Sequence, residues 1–201
     1  MEKIFEICAT LADIFLGIAL IIAIIKLKFF TKNERWYIYY AFFVFCIEII
    51  MFFKIKQTHT HLYPIYIAGE FFLLSGTFLK KLNFSRYYFI PIILLSLAFL
   101  TASHIFPHYE NDYSKAISNL VIICLIAYSL IQEIKHSTKS QFLFLDGMLF
   151  LYYTVSIFIF MLQHQVLRFD HESFFIIWAI NNILLVILYL TFLYTFLKLK
   201  K

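Results

Sequence analysis

The chain has 201 residues, of which 63% are hydrophobic and only 14% charged, against roughly 45–50% and about 25% in an ordinary soluble domain. Its formal net charge is +5 and its mean hydropathy is +0.84. A soluble enzyme of this length cannot hide so much apolar surface, the 21% aromatic content excludes a disordered chain, and 4 glycines with 3 prolines leave no collagen-like or low-complexity segment.

A membrane-crossing helix needs about 20 largely apolar residues. Seven stretches qualify, at 4–25, 36–53, 62–79, 87–106, 113–134, 142–163 and 174–197. These runs are continuous and about twice as long as the roughly 10-residue alternating segments of a membrane β-barrel. The expected fold is therefore all-α: one domain, a polytopic bundle of seven transmembrane helices. Connections are short, so neighbouring helices are expected to be antiparallel and adjacent. The first apolar stretch is longer than the 7–15-residue core of a signal peptide, so it is expected to be retained as a helix.

Short loops rich in Lys and Arg stay cytoplasmic. One side collects Lys26, Lys28, Lys32, Arg35, Lys80, Lys81, Arg86, Lys135, Lys139, Lys198, Lys200 and Lys201; the other has only Lys3, Lys54, Lys56, Lys115 and Arg168. The split predicts the N-terminus outside and the C-terminus inside a cell membrane, the inner membrane in a bacterium. The basic residues are scattered anchors with no groove-like patch, so no nucleic-acid partner is expected. Cys8, Cys46 and Cys124 each fall inside a span with no CxxC pair, and read as small apolar fillers.

Ionisable residues inside a bilayer are costly and turn toward the bundle interior. On the first helix Lys3, Glu6, Thr10, Asp13 and Gly17 recur at intervals of three and four and share a face. Tyr37, Ala41, Val44 and Glu48 do so on the second; Tyr63, Tyr66, Glu70 and Thr77 on the third; Lys115 and Asn119 on the fifth. Asp146, Tyr153, Phe160 and His164 align on the sixth, and Trp178, Asn182, Leu185 and Tyr189 on the seventh, with Asn181 beside them. At about 1.5 Å rise per residue, Asp13, Glu48, Glu70, Asn119, Asn181 and Asn182 each lie roughly 7–14 Å below the outer surface. Asp146 sits apart, near the cytoplasmic end.

No Lys or Arg is expected to reach this layer. Three close carboxylates in a low dielectric cannot all stay ionised, so a proton or a cation is expected among them. Replacing Glu70 by Gln is accordingly expected to be tolerated. Two readings remain open: a polar pocket, facing out, for a small ligand or cation, or interhelical hydrogen bonds that hold the bundle together. The third helix is expected to be central, because Ala68, Gly69, Ser75 and Gly76 give it a small-residue face. Pro64 is expected in its first turn, and Pro91 is expected to kink the fourth helix.

Six of the 7 histidines fall on the outer side, yet no HExxH occurs. No metal site is expected; His104, His108 and His164 come nearest to a ligand set, and Pro107 spoils an i,i+4 pairing of the first two. Phosphate loops, GxSxG and dinucleotide fingerprints are absent, so no cofactor is expected.

The stretch His61–Leu74, HLYPIYIAGEFFLL, resembles the third helix of a family of small bacterial seven-helix integral membrane proteins with a His-x-Tyr…Glu-Phe-x-x-Leu pattern. Trp178–Tyr189, WAINNILLVILY, is similar to their last helix, in which Trp is followed by Asn and a long apolar run. The resemblance implies an integral membrane protein, singles out Glu70 and Asn182, and brings no reaction with it. A lysine placed for a retinal Schiff base is missing, since the last helix has none before Lys198.

Three roles follow in order. The first is a sensor or ligand-binding module, which implies a separate signalling partner because the basic stretch 198–201 is no output domain. The second is a small proton- or cation-coupled transporter, although paired repeats and broken helices are not evident. The third is a lipid-modifying membrane enzyme, which needs a nucleophile or metal beside the acids.

Overall fold

The computed structural model describes residues 2–53, 59–105, 111–136, 140–166 and 171–199, with side chains at 5–51, 62–102, 105, 111–136, 140–161 and 176–199. Among the described residues the chain is all helix: α1 (Glu2–Ile25), α2 (Arg35–Phe53), α3 (His59–Lys81), α4 (Phe89–Ile105), α5 (Asn111–Lys135), α6 (Leu143–Val166) and α7 (His171–Lys198), with short 3-10 turns at Leu27–Phe29 and Arg86–Tyr88. Five of them are long and apolar enough to cross a membrane, over Phe5–Ile25, Leu62–Lys81, Asn111–Lys135, Leu143–Met161 and Ile176–Lys198, and Arg86–Ala102 is a shorter apolar stretch.

Local chemistry explains several ends. Thr31 and Glu34 exchange backbone-to-side-chain bonds ahead of α2, Thr31 N–H donating to Glu34 Oε2 (2.8 Å) and Glu34 N–H to Thr31 Oγ1 (3.3 Å), which makes a capping box. α3 ends where Asn83 enters the left-handed region (φ 55°) and Phe84 N–H reaches back to the Leu79 carbonyl (3.0 Å). The Lys26 ammonium reaches the open carbonyls at the end of α7, donating to Leu197 O (2.5 Å) and Leu199 O (3.1 Å), where the helix dipole is negative.

Six helices close a ring in the order α1, α2, α3, α5, α6, α7, with α7 packed back on α1 in the most extensive interface. That interface is close because α1 presents Ala12, Leu16, Ala19 and Ala23 in one buried stripe of mostly small side chains. α4 stands outside the ring against α3 and touches α5 only slightly, so that α3 packs directly on α5. The reason is visible in α4 itself. Among its described side chains only Ile92, Ser96 and Phe99 are buried, one narrow stripe that serves chiefly one neighbour, with Phe99 edge-on to Phe71 at 5.3 Å.

α3 is central as expected, and its small face works as a seat. A Cβ at Gly69 would collide with the Phe43 ring, and one at Gly76 with Trp36, both on α2. The two prolines exchange roles relative to expectation. α3 begins at His59, so Pro64 lies beyond its first turn, whereas α4 begins at Phe89 and holds Pro91 in the first turn, where no amide bond is lost.

The outer surface is largely apolar, and several polar and ionisable side chains are buried among the core hydrophobics. Ile7, Leu11, Ile14, Ile18 and Ile21 face outward on α1, and Ile90, Leu94 and Leu97 on α4, while Glu70, Lys115, Asn119, Asp146 and Ser156 are buried. A soluble monomer rarely exposes apolar surface on that scale. One expected stripe is misplaced: Glu6 and Thr10 are exposed, with the Thr10 hydroxyl donating to the Glu6 carbonyl (2.9 Å), because the alanine stripe of α1 claims the inward face.

Candidate functional site

A cavity of about 780 Å³ opens among the helix halves that lie at the α1 N-terminal end. Every helix of the ring contributes: Phe5, Ala9 and Asp13 from α1; Glu48 and Met51 from α2; Tyr63 and Tyr66 from α3; Asn111, Asp112 and Lys115 from α5; Tyr152 and Phe160 from α6; Trp178, Asn181, Asn182 and Leu185 from α7. None of the described α4 side chains lines it, consistent with the helix's place outside the ring.

Beneath the cavity lies a closed ionic cluster. Glu70 is fully buried; its Oε2 accepts from the Lys115 ammonium, and its Oε1 accepts from the hydroxyls of Tyr66 (2.9 Å) and Tyr153 (2.7 Å). Tyr153 also meets the hydroxyl of Tyr40 at 3.1 Å. Lys115 is only 1% exposed and lies over the rings of Tyr66 (4.7 Å), Tyr153 (5.7 Å) and Phe160 (6.0 Å). A buried charge is tolerable only when paired and hydrogen-bonded, and this cluster meets both conditions.

This corrects the expectation that no base reaches the acidic layer. Lys115 belongs to the second turn of α5, which begins at Asn111, and its long side chain turns into the bundle instead of snorkelling outward. Glu70 therefore does not share an open site with Asp13 and Glu48. Those two do face the cavity, and Glu48 lies within electrostatic reach of both Asp13 and Glu70. Asn181 and Asn182 are on the same wall, with Asn182 Nδ2 donating to the Phe5 carbonyl (3.2 Å) and Asn181 bonded to Tyr152. Asn119 is elsewhere, deep between α5 and α6, donating to Ser156 Oγ at 3.2 Å.

A second cluster closes the opposite end. Asp146, fully buried, accepts from the Tyr37 hydroxyl (2.5 Å) and from Lys81, whose ammonium also pairs with Glu133 at 2.5 Å. Tyr37 stacks on Phe142 with centroids 4.9 Å apart.

No family model, curated protein or solved structure matches the chain.

Several members of the site escaped the sequence reading as partners. Tyr152, Asn111 and Asp112 on the wall carry little signal in one sequence, while Tyr153 and Lys115 were both on identified stripes and needed only to be paired. Among the described residues no group of three His, Cys, Asp or Glu could hold a metal ion. His108 and the side chains of His104 and His164 lie outside the described residues.

Proposed function

We propose that all seven helices cross a cell membrane, with the N-terminus outside and the C-terminus inside, and that the chain is a binding module that receives a small ligand from outside in the cavity. One observation carries the reading. Asp13 and Glu48 stand in the cavity wall with no ion-pair or hydrogen-bond partner among the described residues. Carboxylates in such surroundings are expensive to keep without a counter-charge, and are characteristic of ligand and ion sites in membrane bundles. The charge asymmetry behind the orientation sharpens once Lys115 is counted inside the bundle, since the outer side is left with Lys3, Lys54, Lys56 and Arg168.

Packing below the cavity favours binding over passage. Tyr40, Tyr189 and Phe192 fill the bundle beneath the ionic cluster, each at most 1% exposed. A carrier reading requires that plug to open.

Accessibility tests both halves of the proposal. With Cys8, Cys46 and Cys124 replaced by Ser, a single Cys at Asn181 is expected to react with a membrane-impermeant maleimide added to intact cells. A C-terminal reporter is expected to be active only in the cytoplasm. Labelling that requires access from the cytoplasmic face, or a reporter active only outside, overturns the orientation. A cysteine at 181 that stays unreactive from both faces overturns the cavity.

A further inference from the structure

The hydrogen-bonding inventory of the cavity wall is lopsided. Four of its donors are spent inside the protein: the Lys115 ammonium and the Tyr66 hydroxyl on Glu70, the Tyr63 hydroxyl on Asp112 (3.1 Å), and the Asn182 amide on the Phe5 carbonyl (3.2 Å). Beside the buried indole N–H of Trp178, the groups that remain open are acceptors. Asp13 and Glu48 offer only lone pairs when ionised. Asn181, 6% exposed and on the same wall, has a buried Oδ1 with no hydrogen-bond partner among the described residues, and so does Asn111.

The rest of the wall is largely aromatic, with Ala9, Met51 and Leu185 between the rings. Phe160 and Trp178 meet edge to face with centroids 5.7 Å apart, and Tyr63 and Tyr66 stack at 6.5 Å. Aromatic faces favour cations, with Trp the best of them. The volume of about 780 Å³ lies within the roughly 300–1,000 Å³ typical of small-molecule sites. Among the described residues an anion meets Asp13, Glu48 and Asp112 with no spare positive group in the lining, and a bare metal ion finds no three-ligand set. The same bundle already shows how it accommodates an ammonium: Lys115 is held by a carboxylate and flanked by the rings of Tyr66 and Phe160, both of which also line the cavity.

We propose that the cavity takes a small organic ammonium ion, an apolar body bearing N–H donors, with the charge held by Asp13 and Glu48 and a donor directed to the Asn181 carbonyl. This rests on the reading of the cavity as a binding site, and the test separates the two. The chain has 2 tryptophans, so a Trp36→Phe variant leaves Trp178 as a single reporter in the wall. The detergent-solubilised variant is titrated with 2-phenylethylammonium, its N-trimethyl analogue, 2-phenylethanol and 3-phenylpropionate.

The primary ammonium is expected to change Trp178 emission saturably. The alcohol is expected to bind at least about tenfold more weakly, a difference of about 1.4 kcal/mol. The trimethyl analogue should be intermediate, since it keeps the charge and loses the donors, and the propionate should not bind. Asp13→Asn and Glu48→Gln are each expected to weaken the ammonium about fivefold or more. Equal binding of alcohol and ammonium, or undiminished binding by both variants, overturns the ammonium assignment and leaves the cavity as a binding site. If no probe alters the emission and acrylamide fails to reach Trp178, the assignment and the underlying reading fall together.

Discussion

The two ionic clusters of the bundle are carried by the same helix and solve the same problem differently. α3 supplies an acid to one, Glu70, and a base to the other, Lys81, eleven residues or about 16 Å further along. The cluster under the cavity has one acid for one base, both sealed, and balances the remaining lone pairs with two tyrosine hydroxyls. The cluster at the far end has two acids for one base, and its lysine side chain stays 19% exposed. The drier cluster thus has no spare charge, and the wetter one has a second carboxylate, Glu133, on the same lysine. Redundancy at one end and strict pairing at the other predict different responses to the same kind of substitution.

The largest effect is expected at the strict pair. Removing one partner of a buried ion pair costs about 3–5 kcal/mol, because the other charge is stranded. Glu70→Gln is therefore expected to destabilise the protein by about 3 kcal/mol, as measured by unfolding in detergent, contrary to the tolerance that the sequence suggests when Lys115 is left out. Adding Lys115→Met to Glu70→Gln should recover part of the loss, and the coupling follows from the double-mutant cycle. A Glu70→Gln protein as stable as the parent breaks the comparison at its stronger end.

At the redundant end the cost is smaller. Asp146→Asn leaves Lys81 with Glu133 at 2.5 Å and with access to water, so about 1–2 kcal/mol is expected, the range for leaving buried hydrogen-bonding groups such as the Tyr37 hydroxyl less well satisfied. Adding Glu133→Gln removes the reserve, and the pair of substitutions should then cost as much as Glu70→Gln alone. If Asp146→Asn by itself already costs that much, Glu133 is no reserve.

Much of this architecture is readable from the residues, and the exceptions have physical causes. Long apolar runs define helices almost by themselves, and the observed ends fall within three residues of the expected ones. Stripes such as Tyr37, Ala41 and Val44, or Asp146 and Tyr153, are buried because nothing apolar competes for the inward face. On α1 something does compete: the alanine stripe permits closer packing on α7 than Glu6 and Thr10 could, so the polar face loses. Lys115 looked like a loop anchor because a lysine near a helix end ordinarily reaches for water. Its direction depends on whether a buried acid is waiting on another helix, and that is a three-dimensional fact. The displacement of α4 is illegible for the same reason, since its run is no less apolar than the others and only its neighbours reveal that it has one packing stripe.

A third prediction concerns the helix that separates the clusters. Gly69→Ala and Gly76→Ala place a methyl group against the Phe43 and Trp36 rings, and overpacking of this kind costs about 1–3 kcal/mol. Gly147→Ala on α6 meets nothing within 4 Å and should be neutral or stabilising by up to about 1 kcal/mol, since glycine inside a helix is entropically expensive. Unfolding midpoints of the three variants in one detergent check the contrast. A harmless Gly76→Ala means that α2 can move away from α3 without loss, and α3 is then no fixed spacer between the two clusters.

The smallest effects are expected where charge is uncommitted. Asp13 and Glu48 have no partner to strand among the described residues, so Asp13→Asn and Glu48→Gln are expected to change stability by no more than about 0.5 kcal/mol. Their sum in the double variant should lean toward stabilisation, because two carboxylates in electrostatic reach of each other repel. The logic is the reverse of that at Glu70. There the carboxylate is one half of a neutral unit, and neutralising it creates an unpaired cation; here neutralisation removes a charge that nothing among the described residues balances. Residues that cost stability to keep and nothing to lose are the signature of a site maintained for a ligand, as opposed to one maintained for the fold. If either substitution destabilises the protein as much as Glu70→Gln does, Asp13 and Glu48 are structural partners after all, and the contrast between committed and uncommitted charge on which the binding proposal rests disappears.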